Sequence, residues 1–129
     1  MESLKVILNG KYKMQRSEFL SFAEPCKSIE ESQDIMKKYK KKYHDAKHIC
    51  WALSIDNGET TCYSDNGEPS GTAGIQIFKE ICAANLTNLI VVVIRYFGGV
   101  KLGKKGLSEA YRTSANVCLN NKCLDSGRF

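Results

Sequence analysis

Two glycine-rich segments hold the residues of this chain best suited to chemistry. The first, SDNGEPSGTAG from Ser64 to Gly74, sets the carboxylates of Asp65 and Glu68 close to the hydroxyls of Ser70 and Thr72. The second, RYFGGVKLGKKG from Arg95 to Gly106, gathers Arg95, Tyr96, Lys101, Lys104 and Lys105 among its glycines. Each leads into a stretch with helical periodicity. Glycines permit close backbone approach, and free amides at a helix start favour an anion, so both segments suit a phosphate or carboxylate. The plainer reading, that the glycines only make tight strand-to-helix turns, stands beside it.

Within the second segment Gly98, Gly103 and Lys104 match most of the phosphate-cradling pattern G-x-x-x-x-G-K-[ST]. Lys105 occupies the place of the hydroxyl that should meet Mg²⁺, and a lysine cannot ligate a cation. A hydrolytic set of Asp65, Glu68, Ser70 and His48 has no G-x-S-x-G or comparable signature behind it. His44 and His48 lie four apart, a metal-binding spacing on a helix, yet His48 opens a strand-like run and no third ligand is evident. No catalytic residue, cofactor or metal is therefore expected.

The elements that must position these loops follow from periodicity. Tyr12 to Glu24 reads as one strand, which Pro25 helps to end. SIEE from Ser28 to Glu31 is a capping box, and the helix behind it runs to about Lys42 with Ile35, Met36, Tyr39 and Tyr43 as an apolar stripe. Its acidic residues come early and its lysines late, which complements the helix dipole and marks the lysine run as a solvated helix end. HICWALSID and ETTCYSD flank Asn57-Gly58, a strong hairpin signal. Ser70 or Thr72 is placed to cap a helix with Ala73, Ile77, Ile81 and Ala84 on one face. NLIVVVIRYF is apolar throughout, as in a strand covered on both faces or central in its sheet. Leu107, Ala110, Tyr111, Ser114 and Cys118 then repeat at helical spacing. The order is strands, helix, hairpin, helix, strand, helix, with the helices stacked on one sheet.

At 129 residues the chain is one domain in size. Residues 1–11 are expected to form an N-terminal strand or tail, 12–122 the domain, and 123–129 a loose C-terminal tail. No stretch reaches the ~20 apolar residues of a membrane span, and the N-terminus has no secretory signal pattern. Six cysteines without a C-x-x-C pair read as reduced thiols, so the expected compartment is cytosolic. The net charge of +5 permits an acidic partner without demanding one.

The segment SDNGEPSGTAG, followed about two dozen residues later by VVVIRYFGGVKLGKKGLSEAY, resembles the signature of the IMPACT/YigZ family. YHDAKHICWAL is similar to that family's segment ahead of the hairpin. The likeness covers roughly residues 12 to 120. It implies an α+β two-layer sandwich like domain 2 of ribosomal protein S5, also similar to domain IV of the translocation elongation factor. By position, the family's signature falls on Asp65, Gly67, Glu68, Pro69, Gly71, Thr72, Ala73 and Gly74, and on Arg95, Tyr96, Gly98, Gly99, Lys101, Leu102, Gly103 and Gly106. With Ser70, Lys104 and Lys105 added, these are expected to form a binding surface. Lys104 and Lys105 depart from the family, which usually has a small residue and then Gly there.

The resemblance further implies a non-enzymatic, translation-associated regulator. Its expected partner is RNA, the ribosome, or the large ribosome-associated activator of the starvation-responsive initiation-factor kinase. A protein-interaction module without nucleic acid, or an uncharacterised hydrolase, are the alternatives. All of these binding readings require the two loops to converge into a single positively biased recess.

Overall fold

The apolar run that suggested a doubly covered strand lies at the middle of the sheet. A computed structural model describes the backbone of residues 1–128 and the side chains of residues 1–121. The elements are β1 (Glu2–Ser3), β2 (Leu8–Met14), β3 (Ser17–Pro25), α1 (Ile29–Lys42), β4 (His48–Ile55), β5 (Thr60–Ser64), α2 (Gly74–Ala83), β6 (Leu86–Thr87), β7 (Leu89–Tyr96) and α3 (Gly103–Arg128). Five strands form an antiparallel sheet in the order β2-β3-β7-β4-β5, and β1 pairs with β6 in a short parallel ladder.

Strand alternation divides the core in two. Phe19, Ala23, Cys50, Ala52, Val91 and Val93 face α2 and α3, where they meet Ile77, Ile81, Leu107 and Tyr111. Ile49, Leu53, Ile90, Val92 and Ile94 face the other way and are covered by Met36 and Tyr39 of α1. The expected α+β sandwich is present in the sheet with α2 and α3, and α1 adds a smaller layer behind it. Burial of β7 on both faces is what accommodates this: Leu89 to Arg95 are all buried.

Tyr12 to Glu24 is not one strand but the hairpin β2–β3, with Met14 opposite Ser17 and only Gln15 and Arg16 in the turn. Both turn residues have positive φ, 44° and 71°. Two-residue hairpin turns demand that backbone and normally advertise it with Asn or Gly, so a Gln-Arg turn leaves no compositional mark. The Asn57-Gly58 hairpin is where expected, within a four-residue connection from Ile55 to Thr60.

The cap of α1 also holds: Ser28 Oγ accepts the Glu31 amide at 3.1 Å. Glu31 reaches back one residue further than a capping box requires, accepting the Lys27 amide at 3.3 Å. Residues 1–11 supply β1 and the start of β2, with Leu4 and Leu8 buried. α3 runs to Arg128, and the side chains of the tail expected at 123–129 lie outside the described residues. Cys26, Cys50, Cys62, Cys82 and Cys118 are free thiols.

Candidate functional site

Asp65, the first residue after β5, organises its loop from within. One carboxylate oxygen accepts the amides of Ala73 (3.0 Å) and Gly74 (2.8 Å), and the other accepts that of Gly71 (2.9 Å). It thereby caps α2, whose local cap residue Ala73 offers no side-chain acceptor. Ser70 and Thr72 are therefore not the cap. Thr72 Oγ1 donates to the Pro69 carbonyl at 2.6 Å, and Ser70 is exposed. A carboxylate eight residues upstream outcompetes a nearby hydroxyl because its bonds are charge-assisted and satisfy several orphan amides at once. Gly74 must be glycine, since a Cβ there would lie 2.8 Å from the Ser64 nitrogen.

Glu68 turns inward and ties the first loop to the second. Its oxygens lie 3.0 and 2.9 Å from Nη1 of Arg95, the last buried residue of β7. Tyr111 of α3 donates its hydroxyl to the same carboxylate at 2.5 Å. His48 Nε2 stands 3.4 Å from it, and His48 Nδ1 is 3.1 Å from the Asn66 carbonyl. Burial, with the neighbouring Cys50 and Glu68, holds the Tyr111 phenol well above its ordinary range, so it remains a donor. Arg95 Nε, also buried, has no hydrogen-bond partner among the described residues. The ion pair is nearly dry: the side chains of Arg95 and Glu68 are 6% and 2% exposed.

The second loop is shaped by contact as much as by flexibility. A Cβ on Gly98 would fall 2.1 Å from the Arg16 backbone, because the loop passes over the β2–β3 turn. Gly99 and Gly103 have positive φ with open space around them. Lys101, Lys104 and Lys105 are exposed.

The two loops meet in a recess of about 420 Å³. Gly67, Glu68 and Pro69 come from the first loop, and Phe97, Lys101, Leu102, Gly103 and Lys104 from the second. Lys47, His48, Arg95 and Leu107 complete it. Asp65, Ser70, Gly71, Thr72, Gly74, Gly98, Gly99 and Lys105 do not line it. Tyr96 belongs elsewhere: alternation along β7 sends it to the α1 face, where its hydroxyl donates to Asp45 at 2.9 Å.

Lys47, Phe97, Leu107 and Tyr111 escaped the site reading of the sequence, and His48 was set aside there. Phe97 lies within the second loop itself, at a position the glycine pattern did not single out. Lys47 and His48 arrive through sheet register, since His48 pairs with Arg95 and the Lys47 amide donates to the Arg95 carbonyl at 2.8 Å. Leu107 and Tyr111 arrive through the packing of α3 on the sheet. Among the described residues no group of three or more His, Cys, Asp or Glu is placed to hold a metal ion. No described helix is long and apolar enough to cross a membrane.

The geometry offers a charged rim over partly apolar walls. Glu68 and Asp65 are both engaged internally, so the outward charge comes from Lys47, Lys101 and Lys104, with the amide end of α3 at Gly103 beside them.

Residues 15–119 match the model of the Impact N-terminal domain. The chain is 37% identical over 109 residues to the IMPACT family member YvyE of Bacillus subtilis, covering 84% of this chain and 50% of that protein. It is 42% identical over 98 residues to an IMPACT family member from the pol 5′ region of Thermus thermophilus, covering 76% and 52%. It thus spans about half the length of the curated relatives it matches. A crystal structure of a hypothetical protein superposes with a TM-score of 0.84 at 27% identity, over 88% of this chain and 57% of the other. The two-domain translational regulator Yih1 shares the fold, with a TM-score of 0.56 at 24% identity over 88% and 45%. On the family match and the identity to these relatives, the chain belongs to the IMPACT family.

Proposed function

We propose that this chain is a non-enzymatic, translation-associated module that docks RNA, free or on the ribosome, in the recess between its two glycine loops. The observation carrying this reading is the division of charge at that site. The carboxylates of Glu68 and Asp65 are consumed by Arg95 and by backbone amides, while Lys47, Lys101 and Lys104 face outward. Lysines over an open recess suit a phosphate backbone, and the exposed ring of Phe97 offers a surface for a base. The translational role named for Yih1 is consistent with an RNA-directed use of the fold.

Titration of single-stranded RNA at increasing salt tests the proposal. Each neutralised phosphate contributes about −0.7 to the log–log slope, so three lysines give a slope of about −2. Lys101→Ala/Lys104→Ala should flatten it to about −0.7. An unchanged slope in that variant removes the recess from the account. A partner that survives nuclease treatment of the lysate and needs the same lysines would instead favour the kinase-activator axis.

A further inference from the structure

The α1 side of the sheet carries a second depression, of about 430 Å³, which shares no residue with the recess. Its floor is Trp51 and Leu53 of β4 with Cys62 of β5, and α1 walls it with Met36, Lys37 and Lys40. It runs beside an unprotected sheet edge. β5 is the outermost strand, so one row of N–H and C=O groups on Thr60–Ser64 has no strand beyond it. Among the described residues, none of these backbone groups makes a backbone bond outside the β4 ladder. The sequence Thr-Thr-Cys-Tyr-Ser carries neither the charge nor the proline that usually guards an edge.

Register connects the edge to the groove. Cys62 lies opposite Leu53 and Ser64 opposite Trp51, on the α1 face, whereas Tyr63 turns to the far face and packs on Phe78 with ring centroids 5.6 Å apart. A strand added alongside β5 would send every second side chain over Trp51, Leu53 and Cys62. The charge of the groove selects its occupant. Among the described residues, Lys37 and Lys40 line it and no acidic residue does. A second copy paired edge to edge would bring two more such lysines, on a chain already at +5, against the first pair.

We propose that the β5–α1 groove docks an extended, acidic segment of a partner protein. The segment adds a strand to β5, lays apolar side chains at alternate positions into the groove, and sets carboxylates against Lys37 and Lys40.

Fluorescence anisotropy of the full chain, under reducing conditions, with two labelled nonapeptides tests this. One alternates Val and Glu, the other Val and Lys. The acidic peptide is expected to bind saturably and the basic one not, with hydrogen-exchange protection appearing at Thr60–Ser64. Cys62→Arg, at an exposed position, fills the groove and should weaken the acidic peptide on the order of tenfold. Lys37→Glu/Lys40→Glu turns two attractions into repulsions, weakens it to a similar degree and transfers binding to the basic peptide. Lys101→Ala/Lys104→Ala should bind as the parent chain does, which separates this site from the recess.

The proposal is overturned if the acidic peptide does not bind, if both peptides bind alike, or if the Cys62 variant binds unchanged. It is equally overturned if the Lys101/Lys104 variant loses the peptide. A parent chain that sediments as a dimer dissolved by Cys62→Arg would assign the groove to a second copy instead.

Discussion

Replacing Glu68 with Gln isolates the tie between the two loops. The substitution keeps the shape and leaves an acceptor for Tyr111, but removes the countercharge of a guanidinium only 6% exposed. Breaking a buried pair by deleting one partner costs about 3–5 kcal/mol, because the remaining charge stays desolvated. Here both carboxylate oxygens share the single nitrogen Nη1 while Nε is orphaned, so the pair lacks the two-pronged geometry of the strongest contacts. That places the expected loss near the lower end, about 3 kcal/mol, out of the roughly 5–15 kcal/mol that holds a domain of this size together. Arg95→Met should cost a similar amount by stranding Glu68. The double variant should lose about 2 kcal/mol less than the sum, since it leaves no lone buried charge. Urea unfolding followed by circular dichroism measures all three. A single-variant loss under about 1 kcal/mol, or strict additivity in the double variant, would refute the claim that this pair joins the loops.

Cys50 and Cys118 are each pushed up to about 12 by burial, from an ordinary value of 9.0. The folded chain keeps those protons where the unfolded one loses them, so their contribution is complete below pH 9. It should fall above that by about 1.4 kcal/mol per pH unit per thiol, read as a dropping urea midpoint that is shallower in Cys118→Ala. Gly98→Ala should unfold the chain or cost several kcal/mol, because the new methyl meets the Arg16 backbone at 2.1 Å. Gly99→Ala, in open space at φ +89°, should cost only about 1 kcal/mol in the same melts. Asp65→Ala removes the acceptor of three amides and should destabilise by about 2 kcal/mol, whereas Ser70→Ala should be neutral within about 0.5 kcal/mol.

The elements with a clear period were legible in the sequence. The α1 cap at Ser28, the buried strand at Leu89–Tyr96 and the apolar face of α2 follow from local rules, and the family signature identified both loops. What escaped depends on contacts between distant residues. The Gln15–Arg16 turn adopts positive φ without glycine or asparagine. The cap of α2 comes from Asp65, outside the local window in which Ser70 and Thr72 were candidates. The recess draws Lys47 from just ahead of β4, His48 from β4 and Leu107 from α3 because of strand register and helix packing, which no spacing along the chain encodes. Tyr96 shows the converse: adjacent to Arg95 in sequence, it lies on the opposite face by the two-residue period of a strand.

The burial of Arg95 shapes the kind of recognition open to the recess. An exposed arginine would hold one phosphate through two parallel bonds and impose a fixed orientation on it. Arg95 is committed to Glu68, so its guanidinium organises the site from below and makes no such demand. The outward charges are lysines on three separate segments: Lys47 ahead of β4, Lys101 in the loop and Lys104 at the start of α3. Ammonium groups on flexible stems act as point charges and tolerate varied phosphate geometry. A surface of this kind gives affinity that depends on salt and little on sequence. On the proposed reading, discrimination among partners falls to elements outside the recess, and the groove proposed beside β5 would supply it through a separate contact.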